Sequence, residues 1–222
     1  MKQLVIYGAG AFADVFFYEV QQTKQAEIVA FAVDEEFMNG DNTHQGLPLV
    51  SFEKCDNIYS PKSYDMLVLC GYTKMRKREE MFNKAKNKGY SLPNYLSKNA
   101  VIEGGTVFGE NNIVLSNVVL GHDGIMGDGN IIRQNTYIGH QFDIKSHTIV
   151  SAGVTIGGNC EVGSMTFIGL AATILNSKKV GNECLIGAGA VVTKDVEDYS
   201  KCIGSPARVC GSFRETGVIL EN

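Results

Sequence analysis

Two histidines occupy equivalent positions of the chain and have the right chemistry for acid–base catalysis. His122 and His140 each follow an apolar residue and a glycine, and the two triplets recur in equivalent places of a regular pattern. A histidine titrates close to neutral pH and can accept a proton from a reacting group when a neighbouring acceptor fixes its tautomer. Asp123 and Gln141 directly follow the two histidines and are the candidate acceptors. The pattern predicts a general base at one of these histidines, and the alternative for either is a solvated surface histidine without a role.

A third histidine, His147, raises the alternative of a zinc site shared between subunits, as in the carbonic anhydrases built on a β-helix. The spacing of His122, His140 and His147 differs from the long gap and subsequent close pair of those sites. We therefore expect no metal.

A second group of residues has the pattern of a phosphate-binding turn. Gly8-x-Gly10-x-x-Ala13 follows one apolar segment, and Asp34 ends the next. Glycine lets the backbone approach a phosphate, the helix N-terminus supplies N–H donors, and the carboxylate contacts hydroxyl groups of the ribose or base. The segment before the repeat described below is short, which favours a nucleotide-sugar over a dinucleotide. The alternative is a glycine turn needed only for tight packing of a strand against a helix.

The two histidines lie within a six-residue repeat. Every sixth residue is apolar at sixteen positions: Ile102, Phe108, Val114, Leu120, Met126, Ile132, Ile138, Ile144, Val150, Ile156, Val162, Ile168, Ile174, Val180, Ile186 and Val192. This period is typical of a parallel β-helix, in which each short strand points one large side chain inward. Three successive repeats close one coil, so the segment 102–192 forms five coils. His122 and His140 are three repeats apart, which places both on one edge. Open ends and flat faces favour caps and oligomers.

The residues before the repeat predict a small parallel α/β domain, because strands and helices alternate with short connections. The expected strands are Leu4–Tyr7, Ala26–Val33 and Met66–Cys70, and the expected helices run from the glycine turn to about Gln22 and over Lys74–Lys88. The basic residues from Lys74 to Arg78 form either a solvated face or a site that attracts phosphates. We expect a Rossmann-like nucleotide-sugar-binding domain over residues 1–95 and a β-helix with a C-terminal cap over residues 96–222.

The composition indicates which binding partners and which cellular compartment to expect. The net charge of −4 provides no electrostatic reason for nucleic-acid binding. The sequence has no apolar run of the roughly 18 residues that span a bilayer, and the N-terminus reads as a first strand rather than a signal peptide. The six cysteines show no CxxC spacing. These features predict a cytoplasmic protein with reduced thiols and no membrane partner.

The Gly-x-Gly domain, the uninterrupted hexapeptide repeat and the closing Gly204-x-Pro206-Ala207-Arg208 together resemble one family. It comprises the bacterial sugar acetyltransferases related to sialic-acid O-acetyltransferases, the NeuD and PglD family. The segments 157–163 and 186–196 are the most specific part of the resemblance. The resemblance implies a left-handed β-helix and a homotrimer with active sites between subunits. It also implies acetyl-CoA between adjacent helices and a nucleotide-linked amino sugar on the N-terminal domain.

The resemblance also implies roles for single residues. His140 matches the catalytic histidine, and Gln141 replaces the acidic residue that often follows it, so that Asp123 or a carboxylate of the next subunit would substitute. The Gly158 N–H would meet the acetyl carbonyl. The expected coenzyme-binding residues are Gly158, Leu170, Ala188, Lys194 and Arg208. The expected substrate-binding residues are Gly8, Gly10, Ala11, Phe12, Asp34, Glu35, Gly71 and Arg133, of which Phe12 replaces a common histidine and Arg133 replaces an asparagine.

The function expected from these features is acetyl transfer from acetyl-CoA to the amino group of a UDP- or dTDP-linked deoxyamino sugar. Such a sugar would serve the biosynthesis of bacterial surface glycans such as O-antigen, and His140 would be the general base. Two alternatives stay open. One is O-acetylation of a free sugar such as sialic acid, and the other is a non-enzymatic trimeric scaffold that binds a nucleotide.

Overall fold

The computed structural model describes residues 3–40, 42–69 and 73–220. The chain divides into two compact units, one of residues 1–71 and 77–93 and the other of residues 72–76 and 94–222. Among the described residues, no helix has the length and apolar character needed to cross a membrane.

The first unit is a parallel α/β structure, as expected from the alternation of apolar strands and helices. Its elements are β1 (Gln3–Tyr7), α1 (Ala11–Thr23), β2 (Ile28–Val33), a 3₁₀ turn (Glu35–Phe37), β3 (Thr43–His44), β4 (Leu47–Ser51), α2 (Phe52–Ile58), β5 (Tyr64–Val68) and α3 (Arg76–Asn87). The sheet order is β3-β4-β2-β1-β5, and only the β3–β4 pair is antiparallel. Side chains of α2 and α3 share one core with β1, β2 and β5. This sheet brings the ends of β1 and β2 side by side.

The second unit is a parallel β-helix with three faces. Face 1 contains the strands Val101–Ile102, Val119–Leu120, Tyr137–Ile138, Thr155–Ile156, Thr173–Ile174 and Val191–Val192. Face 2 contains Val107–Phe108, Ile125–Met126, Asp143–Ile144, Glu161–Val162 and Lys179–Val180. Face 3 contains Tyr95–Leu96, Ile113–Val114, Ile131–Ile132, Ile149–Val150, Phe167–Ile168, Leu185–Ile186, Ser200–Ile203 and Arg208–Ser212.

The register of this β-helix confirms the expected coil of three repeats. Val119 pairs with Tyr137, for example, and Tyr137 pairs with Thr155. Of the sixteen predicted inward positions, Ile102 and Phe108 in the first coil are partly buried, and all the others belong to one buried core. Because each coil stacks directly on the one before it, a separation of three repeats in the sequence becomes one strand spacing of about 4.8 Å.

Candidate active site

The two histidines lie on one edge of the β-helix, in the turns that join face 1 to face 2. We call residues 121–124, 139–142, 157–160 and 175–178 the histidine edge. The third residue of each turn has a left-handed backbone, with φ of 57° at Asp123 and 52° at Gln141. The His122 carbonyl accepts the Gln141 N–H at 2.8 Å, and the His140 carbonyl accepts the Asn159 N–H at 2.8 Å. The repeated turn therefore places the second residue of every such turn in one column.

The rings of His122 and His140 stack in this column. Their centroids are 5.4 Å apart, and their planes differ by 12°. His140 Nδ1 lies 3.3 Å from Gln141 Oε1, and His122 Nδ1 lies 2.9 Å from Asp123 Oδ2. A carbonyl or carboxylate oxygen can only accept, so Nδ1 of each neutral ring carries the hydrogen and Nε2 carries the lone pair. This is the tautomer that a general base requires at Nε2.

Two expected site residues, Asp123 and Gly158, have partners that differ from the expectation. The Asp123 carboxylate bonds to His122, its neighbour in the chain, and Gln141 is the residue that contacts the His140 ring. The Gly158 N–H, which we expected to meet an acetyl carbonyl, donates to Asn176 Oδ1 at 3.0 Å. A substrate oxygen would have to displace that contact.

Gly158 is packed against the His140 ring. A Cβ atom at Gly158 would lie 2.7 Å from His140 Nε2, 2.9 Å from Cε1 and 3.0 Å from Cδ2, all closer than van der Waals contact. The ring of His140 is therefore held between the His122 ring on the preceding coil and the Gly158 backbone on the following coil. Asn176, one coil further, belongs to the same column, and continuing the coil register past Gly158 would have found it.

The other residues expected at the coenzyme site are spread over the β-helix. Leu170 and Ala188 are exposed and lie one coil apart in turns that lead from face 3 into face 1, and Arg133 lies in an earlier turn of that edge. Lys194 is exposed and lies three coils after His140, and Arg208 is exposed in the last strand of face 3. Face 1 separates the edge of Leu170 from the histidine edge.

A groove on face 1 borders the histidine edge, and the sequence did not indicate it. The groove has a volume of about 490 Å³. Its wall includes Tyr137, Thr155, Leu175, Asn176 and Lys178. Tyr137 and Leu175 are exposed by 47% and 44%, so the groove presents apolar side chains to a ligand.

The α/β unit has its own cavity at the ends of β1 and β2, with a volume of about 470 Å³. Gly8, Gly10 and Asp34 line it, as expected from the glycine turn. The Asp34 side chain is only 8% exposed. Its Oδ1 accepts hydrogen bonds from the Tyr7 hydroxyl and, at 3.1 Å, from Lys84 Nζ. The buried carboxylate thus has two donors that hold it at the cavity wall.

The remaining residues expected to meet the nucleotide lie in different environments. Gly8 has φ of 127°, which favours glycine, whereas Gly10 is extended and precedes α1. Ala11 is the exposed first residue of α1, and the Phe12 side chain is buried in the unit. The Glu35 carboxylate pairs with Lys54 at 2.9 Å rather than lining the cavity. Gly71 lies outside the described residues.

Four cavity residues carry chemistry that the motif did not indicate. Phe37, Asn39, His44 and Lys77 also line the cavity, although Lys77 belongs to the basic segment noted above. His44 Nε2 lies 2.7 Å from Asp14 Oδ1, which fixes that ring at the wall. Phe37 is exposed by 58% and offers an aromatic surface for stacking. Among the described residues, no cluster of three or more His, Cys, Asp or Glu side chains has the arrangement of a metal site.

Solved structures share this fold. A histidine-to-alanine variant of GDP-perosamine N-acetyltransferase from Caulobacter crescentus, in complex with CoA and GDP-perosamine, superposes with a TM-score of 0.87 at 23% identity, over 96% of this chain and 98% of that chain. The acetyltransferase domain of PglB from Neisseria gonorrhoeae, in complex with acetyl coenzyme A, has a TM-score of 0.84 at 22% identity, over 94% and 99%. WeeI from Acinetobacter baumannii has a TM-score of 0.78 at 22% identity, over 95% and 100%.

This likeness shows the fold, which includes the left-handed parallel β-helix expected from the sequence. No protein-family model matches the chain, and no curated protein matches it. The Rossmann-like assignment of the α/β unit stays a prediction.

Proposed function

We propose that this protein is an acetyl-CoA-dependent N-acetyltransferase that acts on a nucleotide-linked deoxyamino sugar. The observation that carries the proposal is the His140 ring, whose Nδ1 faces an acceptor and which belongs to an exposed residue of the histidine edge. Two further observations support it. The solved structures of the same fold include one with CoA and GDP-perosamine and one with acetyl coenzyme A. The α/β unit also has a cavity with the features of a nucleotide site.

In the proposed reaction, His140 Nε2 takes a proton from the sugar amine as its nitrogen attacks the thioester carbonyl of acetyl-CoA. The C–N bond forms, the C–S bond then breaks, and the CoA thiolate leaves and takes up the proton that the imidazolium releases. General-base help of this kind contributes roughly 10²–10⁴ in rate. The Gln141 carbonyl holds the ring tautomer without adding a charge, because Gln141 replaces a carboxylate by a neutral amide.

The nucleotide would bind in the cavity of the α/β unit. The turn from Gly8 to Gly10 lets phosphate oxygens approach the start of α1, and Lys77 on the cavity wall supplies a positive charge. The Asp34 carboxylate would accept hydrogen bonds from ribose hydroxyls. The exposed Phe37 ring offers a surface on which the base can stack.

We propose the groove on face 1 beside Asn176 as a site for the apolar part of the coenzyme. Leu170, Ala188, Lys194 and Arg208 remain the proposed coenzyme residues, and Arg133 remains a proposed substrate residue. A cytoplasmic homotrimer with active sites between subunits is part of the same proposal. Light scattering coupled to size-exclusion chromatography measures the oligomer directly.

The test is an assay of thiol release from acetyl-CoA across a panel of UDP-, dTDP- and GDP-linked aminosugars, with free sialic acid as the competing acceptor. We expect turnover with one nucleotide-linked aminosugar. His140→Asn should lower kcat by roughly 10²–10⁴ with little change in KM and an unchanged oligomer. Turnover of free sialic acid alone, or full activity of His140→Asn, would refute the proposal. If no acceptor is turned over, calorimetry with the free nucleotide distinguishes a scaffold that binds the nucleotide without catalysis from a protein that has no nucleotide site.

A further inference from the structure

His122 and Asp123 form a hydrogen-bonded pair one coil before His140, and the proposed reaction does not use this pair directly. His122 Nδ1 and Asp123 Oδ2 are 2.9 Å apart, and their side chains are exposed by 53% and 63%. Both side chains are more than half exposed at the turn. The position of the pair has a consequence, since the His122 ring is stacked under the ring of the proposed base.

The His122 ring restricts the motion of the His140 ring. The Gly158 backbone is in contact with one side of His140, and His122 lies parallel to it on the other side at 5.4 Å between centroids. His122 is itself anchored, because its backbone N–H donates to Glu103 Oε2 at 3.1 Å and its ring is bound to Asp123. Without the His122 ring, His140 could tilt away from Gly158 into the space below.

The charges around His140 lie mostly on the coils that precede it. Glu103 and Asp123 supply carboxylates there, together with the titratable His122 ring. On the coils that follow, the same turns offer Gly158, Asn159, Asn176 and Ser177, which are neutral, and then Lys178 and Lys194. On the adjacent strand of face 2, the Asp143 carboxylate is paired with Lys145 at 2.6 Å. Asp123, which is bound to the His122 ring, is thus a carboxylate one coil from His140 that has no lysine or arginine partner among the described contacts.

We propose that His122 and Asp123 are positioning residues for His140, an inference that rests on the function proposed above. The His122 ring holds the plane of His140, and the Asp123 carboxylate stabilises the imidazolium that forms when His140 takes the substrate proton. The pair thus supplies, from one coil away, the negative charge that Gln141 lacks.

The first test separates ring contact from charge. His122→Ala should lower kcat by roughly tenfold with little change in KM, because His140 loses its stacking partner. His122→Phe keeps a planar ring at that position and should restore most of the activity. Equal loss in both variants would overturn the role of the ring contact.

The second test concerns charge alone. Asp123→Asn keeps an acceptor for His122 and suits the left-handed backbone. Removing the negative charge favours the neutral form of His140, so the acidic limb of the pH–rate profile should move to lower pH, by roughly half a pH unit for an exposed site. Asp143→Asn is the matched control and should leave the profile in place. An unmoved profile in Asp123→Asn would overturn the role of the charge.

A readout without turnover keeps this inference separate from the proposed function. The chain has 4 histidines, so the imidazole signals in a ¹H–¹³C NMR spectrum can be assigned by single variants such as His140→Asn. The His140 signal of Asp123→Asn should titrate at lower pH than that of the wild type. If it does so in a protein that transfers no acetyl group, the coupling holds and the proposed function fails. If acetyl transfer occurs but the titration is unchanged, the proposed function holds and this inference fails.

Discussion

Substituting alanine for Gly158 is the sharpest test of the geometry around His140. The added methyl group would lie 2.7 Å from Nε2, where ordinary contact begins at about 3.4 Å, so the ring has to retreat by about 0.7 Å. Because a displacement of 1 Å in a catalytic group costs on the order of 10²-fold, we expect kcat to fall by roughly 10–10²-fold. This corresponds to about 1.4–2.7 kcal/mol of transition-state stabilisation. KM should change little, since the His140 ring takes part in proton transfer and not in substrate binding.

The assay is thiol release from acetyl-CoA at saturating aminosugar, measured beside the unfolding temperature. Gly104→Ala is the matched control, because Gly104 occupies the same column three coils earlier and a Cβ atom there meets no atom within 4 Å. We expect Gly104→Ala to keep wild-type activity, and both variants to unfold near the wild-type temperature, because Gly104 is exposed and the His140 ring that has to move in Gly158→Ala is also exposed.

A double-mutant cycle identifies the route of the effect. If the methyl group acts by moving His140, Gly158→Ala should cause no further loss in a His140→Asn background. An additional loss of full size would mean that the methyl group blocks the acetyl group instead. Activity of Gly158→Ala within threefold of the wild type would refute the reasoning, because it would show that the ring position is not held by this contact.

Three further predictions follow from burial and charge. Asp34→Asn should weaken nucleotide binding by about tenfold in calorimetry, since a carboxylate accepts stronger hydrogen bonds than an amide does. Ile156→Ala should lower the free energy of unfolding in denaturant by about 2–5 kcal/mol, and the exposed Thr155→Ala should change it by under about 0.5 kcal/mol. Burial raises the pKa of the Cys184 thiol from 9.0 to about 11. Its contribution to stability is complete below pH 9 and lost as the pH rises towards 11, so the wild type should lose stability faster than Cys184→Ala over that range, by up to about 1.4 kcal/mol per pH unit. Equal slopes in the two proteins would contradict this.

Part of the α/β unit was beyond prediction from the sequence. The strands near Leu4 and Ile28 are continuous apolar runs, and the helices Ala11–Thr23 and Arg76–Asn87 are amphipathic over three turns or more, so the structure has them close to the expected bounds. The hairpin Thr43–Ser51 and the short helix Phe52–Ile58 were missed, because such short elements contain too few periods to be recognised. The cavity depends on contacts such as Tyr7 with Asp34 and Asp14 with His44. These contacts join residues far apart in the chain, and no repeating sequence pattern indicates that they meet.

The six-residue period by itself determined the β-helix and the shared column of His122 and His140. A coil that closes after every third repeat turns sequence distance into spatial distance, so register alone predicts which residues share a column. The tertiary structure decided what each side chain in that column contacts. The Asp123 carboxylate contacts the His122 ring rather than His140, and the Gln141 side-chain oxygen faces the His140 ring. Asn176 Oδ1 accepts the hydrogen bond of the Gly158 N–H. Register places a residue on an edge, but the choice among acceptors within reach depends on rotamers and on sub-ångström packing against the next coil.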